Sequence, residues 1–438
     1  ASVVLEDFAA GLGAREHTPS EEDGEAPANA GDRDEEQGSE DPQSDAASSE
    51  EPESEPEDAE AEEEISMAPI GWNSWYDLWD KISAEDIEEN AALLKEILEG
   101  WPEVEGRNLR VVVDDGWQRA WGDWEANEKF PDGMEALAAV IESQGFAPGI
   151  WFAPVLVEAS HPLALENPSW FVEGAHWSHP VHGSMRILDV GHPEAAAHLS
   201  AVVKRIVGWG YTLLKIDFLF AATFEGAHSA HKTGMAHYKA VLELIRESAG
   251  EEVEILAVGA TPVPTLQYVD SWRSGGDIAF ENFDVSWAFI PNQLRSLAAR
   301  WPYCTVTLCD ADPPLFRELP ENEVLFGSWV VALSGGAFFF SDDLRELPAE
   351  RVQWASGENR HLLSASGNLA LPVSFFVDEV PLTLSSPLYD QILGTSTHAA
   401  PNLWRMQDGR KLGFNMSDEP MTIDGDTIPA RSALLLSN

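Results

Sequence analysis

The sequence predicts an α/β protein: a (β/α)8 TIM barrel, preceded by an acidic disordered segment and followed by a small antiparallel β domain. Three observations carry that expectation. From Pro69 onward, short apolar strands alternate eight times with helical runs over about 280 residues, close to the roughly 250 residues that such barrels need. Seven of the eight strand candidates end in tryptophan or in polar or charged residues, and working side chains stand at that end of barrel strands. From about Ala370 the texture changes to β-rich segments separated by turn signals at Asp408-Gly409, Ser417-Asp418 and Asp424-Gly425, as expected of a two-sheet antiparallel unit.

The strand candidates are Gly71 to Trp75, Leu109 to Asp115, Pro148 to Pro154, Leu213 to Leu219, Val253 to Gly259, Tyr268 to Arg273, Thr305 to Asp310 and Ala337 to Asp342. Helical runs between them include Ser83 to Leu98, opened by a serine cap with Asp86 three residues on, then Gly133 to Gln144, Pro193 to Val207 and Gly234 to Ser248. These assign 67–369 to the barrel and 370–438 to a C-terminal β-sandwich. Residues 1–18 read as a short helix or the remnant of an upstream domain. Residues 19–66 consist mainly of Glu, Asp, Ser, Pro, Ala and Gly without an aromatic side chain; such a stretch buries too little apolar area to order itself and reads as an acidic disordered linker.

Charge narrows the partners. The formal net charge is −50, from 76 acidic and 26 basic residues. Positions 21–64 hold 21 of the acids, yet the remaining 394 residues still carry 55 acids against 25 bases. Only 8 of the basic residues are lysine. A dispersed acidic surface stays solvated where salt screens repulsion, the Debye length being about 3 Å at 1 M. We read it as adaptation to a salt-rich cytoplasm, as in a halophilic archaeon. It argues against nucleic acid or anionic lipid as partner, and no apolar run is long enough for a membrane span. The two cysteines, Cys304 and Cys309, fall five apart on one predicted strand, on opposite faces, where they cannot bridge; that pattern suits a reducing compartment.

The chemistry centres on Leu213-Leu214-Lys215-Ile216-Asp217, an apolar strand with an ammonium and a carboxylate two residues apart on one face. A structural ion pair would satisfy such a strand, but other strand ends deliver Trp75, Asp114 and Asp115, Trp151, Arg273 with Asp277, Asp310 with Asp312, and Asp342 with Asp343 to the same rim. A metal site wants converging carboxylates without an ammonium among them, and a phosphate site wants a Gly-rich loop and more cations. A sugar site wants adjacent carboxylates for paired hydroxyls, an aromatic wall, and two carboxyls flanking the glycosidic bond. The third fits best. His176, His179 and His182, three apart in a loop, read as surface histidines. No metal or organic cofactor is expected.

Five motifs keep their order along the chain: Gly71-Trp72-Asn73-Ser74-Trp75-Tyr76, Val113-Asp114-Asp115-Gly116-Trp117, Leu214-Lys215-Ile216-Asp217, Trp272-Arg273-Ser274-Gly275-Gly276-Asp277 and Phe340-Ser341-Asp342-Asp343-Leu344. Together they resemble the α-galactosidases of glycoside hydrolase family 36 and their clan relatives in family 27, from Pro69 to the C-terminus. The run Val258-Gly259-Ala260-Thr261-Pro262 looks most like archaeal-type members. The resemblance implies a retaining hydrolase acting on terminal α-galactosides such as melibiose or raffinose-type oligosaccharides. Asp217 matches the nucleophile and Asp277 the general acid/base. Asp114 and Asp115 match the pair that binds galactose hydroxyls, Lys215 and Arg273 match substrate ligands, and Trp75 and Trp151 match aromatic walls. Lys215 beside Asp217 is expected to keep that carboxylate ionised, whereas Asp277 needs a raised pKa.

Both aspartates of the 114–115 pair can reach one sugar only if their strand has ended before them. Arg186 stands as a shifted candidate for an arginine some members bring after the third strand, and Asp310 with Asp312 reads as structural. The large N-terminal β-sandwich usual in family 36 is replaced here by 66 mostly acidic residues, which suggests a truncated chain or a shortened lineage. A homo-oligomer is the candidate assembly. Rival readings are a glycosyl-transferring clan relative of the raffinose-synthase type, a non-catalytic sugar-binding relative, and an α-N-acetylgalactosaminidase, the last suggested by the small residues from Gly259 to Pro264.

Overall fold

The structure is a computed structural model that describes residues 68–279, 286–317, 319–351, 371–372, 400–406 and 408–437. The expected short N-terminal segment and acidic linker lie outside the described residues.

All eight predicted strands form, each shorter than its apolar run: β1 Ile70–Asn73, β2 Leu109–Val113, β3 Ala147–Phe152, β4 Leu213–Ile216, β5 Glu254–Ala257, β6 Ser271–Arg273, β7 Leu308–Asp310 and β8 Phe338–Phe340. They make one sheet in the order β7-β6-β5-β4-β3-β2-β1-β8, every ladder parallel. The two ends of that order meet through a parallel bridge between Cys309 and Gly335, which closes the barrel. Glycine makes the seam sterically feasible: a Cβ on Gly336 would stand 2.0 Å from the Cys309 carbonyl oxygen.

The interior follows the two-residue alternation of the strands. Val112 of β2, Leu213 of β4 and Phe339 of β8, all from even-numbered strands, form one buried cluster with Ala337, the layering typical of a filled barrel. Two residues farther along β2 and β4 the same face ends at Asp114 and Lys215. The polar pair at the mouth is therefore the continuation of the apolar layer beneath it.

Helices α1 (Ala84–Leu98), α2 (Gly133–Ser143), α3 (Pro193–Gly208), α4 (Gly234–Ala249), α5 (Ile290–Arg300) and α6 (Glu321–Leu333) alternate with the strands. Helix α1 begins in the expected capping box: Ser83 Oγ accepts the Asp86 amide at 3.3 Å, and Asp86 Oδ2 accepts the Ser83 amide at 2.8 Å. It buries Ile87, Ala91, Leu94 and Leu98, one stripe at helical spacing. Helix α3 starts at Pro193, where a missing amide costs nothing. No helix among the described residues is long and apolar enough to cross a membrane.

Beyond the barrel, Leu371–Pro372, β9 (Leu403–Arg405), β10 (Lys411–Asn415) and β11 (Ser432–Leu435) form an antiparallel sheet. A hairpin pairs Met421–Ile423 with Asp426–Ile428. Its two-residue loop is Asp424-Gly425 with φ of 51° and 97°, the primed-turn chemistry that Asp-Gly signals. This unit leans on α6, where Arg431 Nη1 meets Glu323 Oε1 at 2.9 Å and Asn322 Nδ2 donates to the Ala430 carbonyl at 2.9 Å.

One expectation fails. Cys304 and Cys309 form a disulfide, with Cα atoms 5.1 Å apart. The predicted strand from Thr305 does not begin there: Tyr303–Thr305 is a 3-10 turn, and β7 starts only at Leu308. Pro302 helps set this turn, its carbonyl accepting Thr305 Oγ1 at 2.7 Å, and the folded-back chain brings the two sulfurs together. The cysteines therefore give no support to a reducing compartment.

Candidate active site

Strand β2 ends at Val113, so Asp114 and Asp115 both lie past the ladder and both turn inward, 2% and 5% exposed. Asp114 Oδ2 takes Lys215 Nζ at 2.6 Å and Asn73 Nδ2 at 2.8 Å, while its amide donates to Ser74 Oγ at 2.9 Å. Lys215 thus pairs with Asp114 rather than forming a structural ion pair with Asp217, on which it acts through its charge alone. The lysine spans the intervening strand β3 to reach a carboxylate on β2, where burial rewards a close ion pair. Its ammonium pKa lies above the usual value; burial pulls it down, and Asp114 and Asp217 together more than offset that. Asp115 Oδ1 accepts Gln118 Nε2 at 2.5 Å, and His182 Nε2 lies 4.0 Å from Asp115 Oδ2. Burial pushes the Asp115 carboxyl up to about 7 against the Gln118 bond.

Asp217 is anchored by dipoles. Trp151 Nε1 donates to Oδ2 at 3.1 Å and the Phe218 amide to Oδ1 at 2.5 Å. The register that sets Trp151 opposite Lys215 makes the first bond reachable. The second requires the chain to turn immediately after Asp217, and Phe218 does so in the left-handed region, φ 54°, a conformation that costs a non-glycine residue about 1 to 3 kcal/mol. Burial, then repulsion from Asp277, raises the Asp217 carboxyl to about 6, with Lys215 pulling it back.

Arg273, buried at the end of β6, grips three carboxylates: Asp310 through Nε at 2.6 Å, Asp312 through Nη1 at 2.8 Å, and Asp277 through Nη1 at 3.3 Å. Asp312 also accepts the Tyr76 hydroxyl in a very short bond and the Ile278 amide at 2.9 Å, and that amide lies 3.1 Å from the Tyr76 oxygen. Tyr76 and Asp312 therefore hold the backbone just past Asp277. Burial raises Asp312 to about 7 although Arg273 opposes it. Asp277 differs from all of these in being 41% exposed at its side chain. Burial of the carboxyl in the barrel mouth raises its pKa against Arg273 and Lys215, with Asp114 and Asp310 adding to the rise.

The remaining predicted residues fall as follows. Trp75 is half-buried, edge-on to Trp79 at 5.1 Å. Trp151 is 2% exposed, packed by Trp121 and Trp124, so its indole N–H rather than an open ring face reaches the site. Arg186 lies over the Phe171 ring at 5.4 Å, on a hairpin strand. Asp342 is spent on the Phe316 and Arg317 amides, and Asp343 on Arg345. His179 and His182, read as surface residues, stack instead with Trp121 and each other at 4.7 to 5.0 Å, and Trp121 also meets Phe218 at 5.0 Å. This aromatic cluster and the Tyr76–Asp312 pair had no role in the sequence reading. Only the place of Tyr76 inside the first motif signalled it.

Comparison with known proteins finds likenesses to α-galactosidases. The α-galactosidase of Escherichia coli is 27% identical over 238 residues, 50% of this chain and 29% of that relative. Alpha-galactosidase 2 of Hypocrea jecorina is 30% identical over 150 residues, 29% of this chain and 18% of the relative. Residues 68–241 match the Melibiase family model. The chain is a homologue of melibiase-family α-galactosidases. The melibiase segment holds Asp114, Asp115, Trp151, Lys215 and Asp217, whereas Arg273 and Asp277 lie beyond it. The match spans less than a third of either of these relatives. The Thermus thermophilus α-galactosidase, solved with p-nitrophenyl α-D-galactopyranoside, aligns with a TM-score of 0.58 at 27% identity over 78% of this chain and 66% of that one. Its stachyose complex aligns at 0.55 and 31% identity over 67% and 65%. A family 27 β-L-arabinopyranosidase of Geobacillus stearothermophilus, 16% identical with a TM-score of 0.60 over 81% and 85%, shares the fold.

Proposed function

We propose that the chain is a retaining α-galactosidase using Asp217 as nucleophile and Asp277 as acid/base. The observation that carries this reading is the contrast between the two carboxyls. Asp217 is held by two fixed donors at the end of β4 and feels the charge of Asp277, which is itself exposed and raised in pKa. A nucleophile needs fixed aim, and an acid needs a proton and access to the leaving group.

In the first step an Asp217 oxygen attacks the anomeric carbon, the bond to the aglycone oxygen breaks, and Asp277 gives that oxygen its proton. In the second, Asp277 takes a proton from water, the water oxygen bonds to the anomeric carbon, and the Asp217 ester breaks. Two inversions return the α-anomer. Formation of the ester neutralises Asp217, and Asp277, its proton already given to the leaving oxygen, is left as the base for the second step.

Asp114, Asp115 and Lys215 are assigned to the galactose hydroxyls; an epimer that leaves a buried acceptor unpaired loses about 1 to 3 kcal/mol. Arg273, Trp75 and Trp151 complete the binding set. Support for the substrate class comes from the Thermus enzyme, solved with stachyose; we assign melibiose and raffinose-type oligosaccharides on that basis. The salt-rich cytoplasm of a halophilic archaeon rests on the charge of −50 alone.

The test is hydrolysis of p-nitrophenyl α-D-galactoside beside its α-gluco and α-N-acetylgalactosamino analogues in molar KCl, with proton NMR of the first-formed sugar. Release of α-galactose from the first analogue alone is expected. β-Galactose as first product would overturn retention, and preference for the acetamido sugar would move the assignment to α-N-acetylgalactosaminidase.

A further inference from the structure

Behind the sugar site, the loop that follows the Asp217 strand meets the exit of the long hairpin formed by Phe171–His179 and Gly183–Leu188. There Asp189, His228 and His237 offer ligand atoms that all lie within 4.8 Å of one another, the one such group among the described residues. Asp189 and His237 are 0% exposed.

The hydrogen bonds assign the tautomers. His237 Nδ1 lies 2.9 Å from the Ala222 carbonyl oxygen, so the proton sits there and Nε2 keeps its lone pair, 3.9 Å from Asp189 Oδ1. That lone pair meets only the Val190 amide, at 3.2 Å. His228 Nε2 lies 3.2 Å from the Phe224 carbonyl oxygen, so it carries the proton; Nδ1 is left with its lone pair buried and without a partner. The two rings stand 4.8 Å apart. Asp189 is held ionised by the Ser229 amide at 2.6 Å and the Gly191 amide at 2.9 Å.

The Nδ1 of His228, buried without a donor, thus faces the His237 Nε2 and the Asp189 carboxylate, which are held only by backbone amides. A buried acceptor left unpaired is costly, and a cation at this point satisfies it. Carbonyl acceptors on the far nitrogen of each ring are the arrangement that orients metal-bound histidines. His231, three residues after His228, has its ring 5.9 Å from His237 and can supply a fourth ligand.

We propose that Asp189, His228 and His237 bind a divalent transition-metal ion, with Zn2+ the best chemical match, as a structural clasp between the hairpin and the loop leading into α4. The donor set is two neutral imidazoles and one carboxylate, which suits Zn2+ and excludes Ca2+ or Mg2+ as the preferred ion. Ligands about 2.1 Å from a tetrahedral ion lie roughly 3.4 Å from one another, so binding draws the set together by about an ångström. His228 sits on a loop already tied to the hairpin by the Glu173–Ala227 bridge, and its movement supplies that closure.

The experiment uses the full chain, untagged, stripped with EDTA and titrated with Zn2+ and with Co2+ by calorimetry and visible absorption. One equivalent of either metal is expected, the Co2+ form showing the intense visible bands of a tetrahedral nitrogen and oxygen set. His228→Ala, with folding checked by circular dichroism, should weaken binding at least tenfold, and His231→Ala should shift the Co2+ spectrum without abolishing binding. Less than 0.1 equivalent bound by the wild type overturns the proposal, and so does weak octahedral Co2+ absorption from the acidic run alone. Unchanged affinity in His228→Ala overturns it independently. If that variant fails to fold, the wild-type stoichiometry and Co2+ spectrum still decide.

Discussion

Lys215 Nζ lies 2.6 Å from Asp114 Oδ2, a carboxylate 101 residues away in the chain, although Asp217 is two residues along the same strand. Both partners are almost fully buried. Removing one member leaves an uncompensated charge in the barrel mouth, at about 3 to 5 kcal/mol. Lys215→Met is expected to lose stability in that range by urea denaturation, and Lys215→Met with Asp114→Leu is expected to regain most of it. Both variants should lose hydrolysis, which separates folding from function.

Asp217→Ala and Asp277→Ala should each lower kcat by about 10³-fold or more. External azide is expected to rescue Asp217→Ala by entering the space of the missing carboxylate, with β-galactosyl azide as the product seen by NMR. Substantial activity remaining in both variants would remove the assignment of the pair.

The pH profile follows from opposed needs. Asp217 must be ionised to attack, and its carboxyl sits at about 6, so kcat/KM should fall as pH drops through about 6. Asp277 must be protonated, and its pKa is raised, so the rate should also fall on the alkaline side once that proton is lost. In Asp277→Asn the alkaline limb is expected to vanish with an activated aryl galactoside that needs no acid.

Asp115 gives a stability prediction with a definite sign. Its folded carboxyl is raised to about 7 from 3.8, so the folded state holds a proton that the unfolded chain has released between those values. Its contribution to stability is present below about pH 4 and lost as pH rises through 7. Asp115→Asn keeps the acceptor for Gln118 and never ionises. Compared with wild type, the variant should match it near pH 4 and exceed it at pH 8 in denaturant melts. A wild-type advantage that grows with pH would contradict the raised carboxyl.

The Cys304–Cys309 bridge spans five positions, and closing so short a loop is worth about 2 kcal/mol through the unfolded chain. Cys304→Ala with Cys309→Ala should therefore lower stability by about that amount and retain galactoside hydrolysis. Reducing agent should have the same effect on the wild type.

Local signals were sufficient for much of the fold. Short apolar runs between helical segments located all eight barrel strands, Ser83 with Asp86 marked the start of α1, and Asp424-Gly425 marked a hairpin whose turn residues have positive φ angles. Each depends on residues within a few positions of one another. The run from Thr305 misled for the same reason: β-branched residues suggest a strand, but Pro302 and the turn at Tyr303–Thr305 override propensity and bring the two sulfurs together.

By itself, then, the sequence determined where the eight strands lie and that charged residues gather at one rim, because apolar runs and the residues that end them are local signals. Partner choice was decided only by tertiary structure. Lys215 selects Asp114 across β3, Arg273 gathers Asp277, Asp310 and Asp312, and Asp189 finds two histidines from the loop and helix beyond β4. A buried charge takes whichever opposite charge the register of the closed barrel brings within about 3 Å, and spacing along the chain carries no measure of that distance.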